Sequence, residues 1–313
     1  MASALEIGLA ILVLAAATWT IAARDAFAAV IGFVTYGLLL TLVWMSLSSV
    51  DVALTEAAIG SGVTGILLLG AAARLRVAEK SMATERAGAA QHLVAAVLSA
   101  SVTAALAAVV LVLPNPAPTL APAAEANLPA IGLGNAVTAV LLAYRALDTL
   151  LEKAVLVVAL IGVWSLTRDH LWGGQPGLRH RANRDDVLVF LAQLLPPVGI
   201  VVGIYIVWVG ADNPGGAFQG ATILAAMWIL TIMAGIADPP PISRPWLRLV
   251  LVAGPAVFLG VGLAGFVVPG AFLAYPTSFA KELIVGIEAA MTLSIAATLG
   301  LLVAGPPERP PTR

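Results

Sequence analysis

Apolar runs of about 20 residues, separated by short polar breaks, fill most of the chain. They fall at residues 3–23, 26–49, 52–73, 91–113, 148–167, 187–209, 218–237, 247–267 and 279–304. At 1.5 Å of rise per residue, such a run matches the hydrocarbon thickness of a bilayer. The pattern therefore predicts an all-α polytopic membrane protein with about nine transmembrane helices. A tenth apolar piece, 131–144, is too short to cross and is expected to lie along, or dip into, the outer face. A soluble helical core would instead show charged faces at a 3.6-residue period, and these are missing.

The polar breaks divide the chain. LPNPAPTLAPAAEANLP (113–129) reads as an external linker with little intrinsic helix. RDHLWGGQPGLRHRANRDD (168–186) reads as a polar linker and the best domain boundary, and PPERPPTR (306–313) as a disordered tail. The expected units are 1–80, 81–168 with its outer-face helix, a linker at 169–185, 186–305, and the tail from 306.

Composition narrows the chemistry. Only 11% of residues are charged, against roughly 25% in a soluble domain. A net charge of −1 gives no reason to expect nucleic acid. Cysteine is absent, which removes disulfides, iron–sulfur ligation and thiol chemistry. His92, His170 and His180 do not pair at ligand spacing. Catalytic triads and nucleotide fingerprints are not found, so neither an enzyme nor a resident cofactor is expected. The opening MASALE has no basic stretch, and the first span is expected to be retained.

Basic residues orient the spans, because Lys and Arg concentrate in cytoplasmic loops. With nine crossings and the amino terminus outside, 13 of the 16 basic residues fall inside: Arg24; Arg74, Arg76, Lys80 and Arg86; Arg168, Arg179, Arg181 and Arg184; Arg244 and Arg248; Arg309 and Arg313. Ten crossings would put the arginine-rich linker outside. The same orientation places the carboxylates of the spans in the outer half.

An ionisable side chain at the bilayer centre costs at least about 2.5 kcal/mol on insertion scales, so it normally faces protein or water. Asp51 sits at the mouth of the third span and Glu56 about 8 Å deeper. Glu56 shares a small, polar helical stripe with Gly60, Val63 and Thr64, which suits either a proton or cation relay or a structural hydrogen bond. Asp148 and Glu152 stand four apart on one face, with Thr149 beside them. Such a pair can gather a cation or hold a proton, unless Arg145 or Lys153 neutralises it. Lys281 and Glu288 share a face two turns apart, with Thr292 below. In the sixth span, Gln193 and Pro196-Pro197 predict a kink. ADNPGGAFQG (211–220) predicts a tight external re-entry. There Pro214 turns the chain, Gly215 and Gly216 allow close backbone approach, and Phe218 follows. No Lys-Ser/Thr follows, so it is not a phosphate loop.

These residues resemble known families. Residues 24–69, with the core DVALTEA, resemble the hydrogenase-type D segment that also forms part of the carboxy-terminal region of the large Mrp antiporter subunit. Residues 135–164 (NAVTAVLLAYRALDTLLEKAVLVVALIGVW) resemble the adjacent E-type segment, whose pattern is Y/F-R-G-F-D-T-L-G-E. Residues 186–304 resemble the MnhB-type subunit, with its P-G-G-G-F-Q-G-G loop. The resemblance implies a subunit of an Mrp-type Na⁺/H⁺ antiporter complex in a prokaryotic cell membrane, with the carboxy terminus cytoplasmic. Relatives also serve in membrane-bound hydrogenases and complex I, which makes an ion-translocating adaptor of a redox-driven pump the alternative. Implied partners are large complex I-related proton-pumping subunits and small Mrp-type membrane subunits, with Na⁺ or H⁺ as the transported ions. The family acids map to Glu56, Asp148 and Glu152. The chain departs from the pattern at Ala143, Ala146, Leu151, Lys153, Ala211, Ala217 and Ala221.

Overall fold

The computed structural model describes residues 4–79, 88–114, 116–177 and 187–310. The chain is an all-α polytopic membrane protein. Within the described residues, nine long helices occupy the nine predicted spans: α1 (Ala4–Ala22), α2 (Ala26–Ser46), α3 (residues 50–79), α4 (Ala89–Val112), α7 (Ala146–Ser165), α8 (Val187–Val209), α9 (Ala217–Met233), α10 (Pro245–Ala264) and α11 (Ala280–Ala304). Two short helices, α5 (Ala121–Ile131) and α6 (Ala136–Tyr144), lie between α4 and α7. Among the described residues, seven helices are long and apolar enough to cross a membrane. The two that fall short have visible reasons. α7 carries Asp148, Glu152 and Lys153, and α9 is only 17 residues long.

Three expectations need correction. The 113–129 segment is not free of helix: α5 occupies its second half, with Pro122 in the first turn, where a missing N–H costs nothing. It ends at Gly132, whose φ of +72° suits a glycine C-cap. The short element expected between α4 and α7 is consequently a pair, with α5 and α6 meeting at 86°. The tail is ordered through residue 310, because Pro307–Arg309 pairs antiparallel with Gln175–Pro176. Pro196 and Pro197 lie inside α8 without dividing it. Lys80, Arg86, Arg179, Arg181, Arg184 and Arg313 fall outside the described residues.

α11 is the axis of the larger bundle. Ile284, Ile287, Met291 and Ile295 repeat at helical period on its buried face and pack against α7, α9 and α10. Small residues bring the backbones close. Gly203 and Gly220 face each other across α8 and α9, and Gly254 of α10 lies against Ser294 and Met291 of α11. Pro255 has no N–H to give the Leu251 carbonyl one turn back. Ser294 Oγ donates to that carbonyl instead, at 2.5 Å. α1, α2 and α3 form a second bundle, joined to the first through α3 and α9. α4 stands apart, with no buried residue and no extensive packing against any other described helix.

Two helices are widened. Residues 56–63 of α3 and 140–144 of α6 are π-helical, bonding to the fifth residue back rather than the fourth. Thr64 Oγ1 donates to Ile59 O at 2.8 Å. At α6, Thr149 Oγ1 donates to Leu141 O (2.6 Å) and Tyr275 Oη donates to Leu142 O (2.7 Å), so side chains of neighbouring elements meet the displaced carbonyls.

Candidate functional site

The loop between α8 and α9 is the meeting point of segments distant in sequence. Gly215 and Gly216 hold φ of +146° and +131°, conformations that L side chains rarely adopt. That shape points the Gly215 N–H at buried Asp51, which accepts it at 2.9 Å. Asn135, the N-cap of α6, accepts from Val137 N and donates through Nδ2 to Asn213 O (2.9 Å) and Gly210 O (3.2 Å). Thr138 Oγ1 donates to the same Gly210 carbonyl at 2.6 Å. Gln219 Nε2 donates to Thr55 Oγ1 at 3.0 Å. The start of α3, the start of α6 and the α8–α9 loop are thus tied by buried hydrogen bonds with few polar groups left over.

Beneath this knot lies a cavity of about 230 Å³, room for several waters. Glu152, Glu288, Thr55, Thr149, Phe218 and Gln219 are in its wall. Glu288 is 3% exposed. Its Oε1 accepts from Ala217 N, the first residue of α9, at 3.3 Å, while Oε2 is buried without a partner. The helix N-terminus, with its partial positive charge, is the stabilising group in contact with this carboxylate. A Cβ on Gly216 would lie 3.0 Å from Oε1, so the close approach needs glycine there. Lys153 is 2% exposed, and its Nζ has no hydrogen-bond partner. It sits 2.9 Å from the centroid of the Phe218 ring, a cation–π contact. Carboxylates and hydroxyls in the wall of such a space can bind or pass a proton or a small cation.

The remaining sequence candidates lie around this cavity rather than in its wall. Glu56 begins the π-helical turn and folds back over Gly60. A Cβ on Gly37 of α2 would overlap Ser61 Oγ and lie 2.9 Å from Glu56 Oε1, so both side chains face α2 across that glycine. The π register brings Ser61 beside Glu56, which the α-helical stripe of Gly60, Val63 and Thr64 did not include. Asp148 is bonded to Arg145 at 2.5 Å in an exposed pair and does not share the cavity with Glu152. Lys281 does not neutralise Glu288: it pairs with both oxygens of Asp212 at 2.7 Å. The Lys281 hydrogen bond, with its charge, holds the Asp212 carboxyl below its ordinary 3.8.

Residues 11–77 match the MbhD family model, for the D subunit of MBH, and residues 187–306 match the domain related to the MnhB subunit of Na⁺/H⁺ antiporter. The chain joins a D-type segment to an MnhB-type segment. Asp51 lies in the D-type segment and Gly215 in the MnhB-type segment, so the carboxylate–amide bond described above is a bond between the two. The whole chain superposes on 36% of a chain in the structure of the Mrp complex from Dietzia sp., with a TM-score of 0.75 and 26% identity. An uncharacterized protein of Methanocaldococcus jannaschii is 32% identical over 154 residues, which cover 44% of this chain and 59% of that protein. The chain therefore spans a little over half of that relative and about a third of the Dietzia chain.

Asn135, Thr138, Ser61, Gln219 and Asp212 were not among the sequence candidates. Asn135 and Asp212 bond directly to candidates, Thr138 and Gln219 tie the loop and α3 around them, and Ser61 lies beside Glu56. The signal available for them was a short polar side chain inside or bordering an apolar run, a signal shared by many plain helix threonines. Among the described residues, no group of three acids and histidines is arranged to hold a metal ion.

Proposed function

We propose that the chain is a subunit of an Mrp-type complex that exchanges a monovalent cation, Na⁺ in the first instance, for protons, acting as a transport component rather than an enzyme. One observation carries this reading. The D-type and MnhB-type segments interlock at Asp51 and Gly215, next to a cavity whose wall holds Glu152 and Glu288. Segments that merely coexist in a chain would not need to share a polar site. The likeness to a chain of a multi-subunit Mrp complex supports membrane-subunit partners. The large complex I-related and the small Mrp-type subunits are the partners proposed.

In this reading the amino terminus lies outside and the carboxy terminus in the cytoplasm of a prokaryotic cell membrane. The ends of the helices sort accordingly. Asp51, Asn135, Asp212 and Lys281 gather at one end, and Arg74, Glu308, Asp238 and Arg309 at the other. Ions enter from the Asp51 end, reach Glu152 and Glu288 through the cavity, and pass toward Glu56 and the partner subunits. Residues 135–164 act as the E-type segment, bringing Glu152 to the path. No resident cofactor takes part.

The test is cation-dependent proton exchange in vesicles carrying the assembled complex, for wild type and Glu56→Gln. A carboxamide cannot exchange a proton, so the rate is expected to fall at least about tenfold with assembly intact. Wild-type exchange in a fully assembled Glu56→Gln complex would sink the role given to that acid.

A redox-driven pump is the second reading, favoured by the match of residues 11–77 to the MbhD model. Purifying the chain with its partners separates the two, because nickel–iron or iron–sulfur subunits would accompany it only in a redox assembly.

A further inference from the structure

Lys153 and Glu288 are buried ionisable side chains of opposite type, and neither forms an ion pair among the described residues. They are held by consecutive residues: Ala217 N donates to Glu288, and the Phe218 ring carries Lys153. Lys153 Nζ and Glu288 Oε2 are both without a hydrogen-bond partner. A buried charge left in this condition is costly, and a charge of opposite sign nearby is the ordinary remedy. Here Lys153 lies against the Phe218 ring and Glu288 against the start of α9, and Phe218 and Glu288 both line a cavity of about 230 Å³.

We propose that Lys153 is a tethered counter-ion that competes with the transported cation for Glu288. Without a bound ion, the ammonium leaves the Phe218 ring and pairs with Glu288 across the cavity. When a small monovalent cation or a proton occupies Glu288, the ammonium returns to the ring, the position at which Lys153 lies in this structure. Phe218 is the resting place that makes release of the lysine affordable, since a cation over an aromatic face keeps part of its stabilisation without water. Glu152, beside Lys153 in sequence and in the cavity wall, balances the ammonium while it rests there. Asp51 and Lys281 take no part, being bonded to Gly215 N and to Asp212. The exchange of partners keeps Glu288 from standing as a bare carboxylate at any stage, so one ion is not released until its substitute has arrived. This proposal rests on the antiporter reading and gives it a coupling device.

Radioactive sodium binding to the purified, assembled complex tests it, with exchange activity measured in parallel. Lys153→Met removes the competitor, and the sodium dissociation constant is expected to fall about tenfold. Phe218→Leu keeps the lysine but removes the ring, and the constant is expected to rise about threefold. Glu288→Gln is expected to abolish binding at this site. An unchanged or weakened affinity in Lys153→Met, or full binding in Glu288→Gln, overturns the proposal. Should Lys153→Met fail to assemble, Phe218→Leu decides: a rise supports the counter-ion, and no change or a fall overturns it. If the variants shift sodium affinity as expected while the wild-type complex exchanges nothing, the antiporter reading is refuted and the counter-ion stays supported.

Discussion

At the end of the bundle that holds Asp51, polar groups are met by backbone. A carboxylate takes the Gly215 amide, and Asn135 and Thr138 hold the Gly210 carbonyl. At the end that holds Arg309, the groups are long side chains in open pairs: Arg74 with Glu308 at 3.2 Å and Arg309 with Asp238 at 2.6 Å. Both ends are polar and both tie remote segments together. They differ in what losing one partner leaves behind. A buried carboxylate removed from the first end strands an amide with no water to replace it. An arginine removed from the second end leaves a carboxylate that solvent can reach.

The largest expected effect therefore belongs to Asp51→Ala. With Asp51 only 8% exposed, its loss should cost about 2 kcal/mol or more of stability, measured by denaturant or thermal unfolding of the purified full chain. A cost no larger than that of an exposed ion pair would erase the distinction between the ends.

The Asp212–Lys281 pair is an intermediate case, at the Asp51 end but about half exposed. Because the folded-state pKa of Asp212 is depressed, its contribution is fully present above 3.8 and is lost as pH falls through the depressed value. Asp212→Asn should lower stability at neutral pH by about 0.5 kcal/mol. The gap to wild type should close once pH is below that value, as followed by unfolding midpoints across a pH series. The smallest effect is expected for Arg74→Ala. Its side chain is 68% exposed, and the change should stay within about 0.5 kcal/mol. A larger loss would mean that the Arg309 end is held as firmly as the other.

Much of this architecture was legible in the sequence, because hydropathy measures the one quantity a bilayer selects. The long helices fall on the expected apolar runs, and α7 fails a strict apolar test only through the acids and lysine that made it interesting. What was not legible depends on backbone register and on contact. No residue pattern announced π-helical turns at Glu56 and Val140, and the α-helical stripe drawn through Glu56 therefore left Ser61 out. The ends of Lys281 and Lys153 could be placed near acids, yet the partner each meets, Asp212 for Lys281 and the Phe218 ring for Lys153, comes from a segment more than sixty residues away. Composition alone misjudged α5 and the tail, where proline-rich stretches are held by one glycine cap and one short strand pairing.

That strand pairing has a consequence for the order of events during synthesis. Arg309 and Pro176, bonded to each other, are 133 residues apart, and the four helices α8 to α11 all lie between them. These helices form a circuit whose clasp is made last. They must enter the membrane and find one another while the circuit is open, held by their own packing and by lipid. Closing so long a loop costs little more than closing one half its size, so a late clasp is thermodynamically cheap. Its work is to limit how far the first and last helices can drift apart once the ring exists.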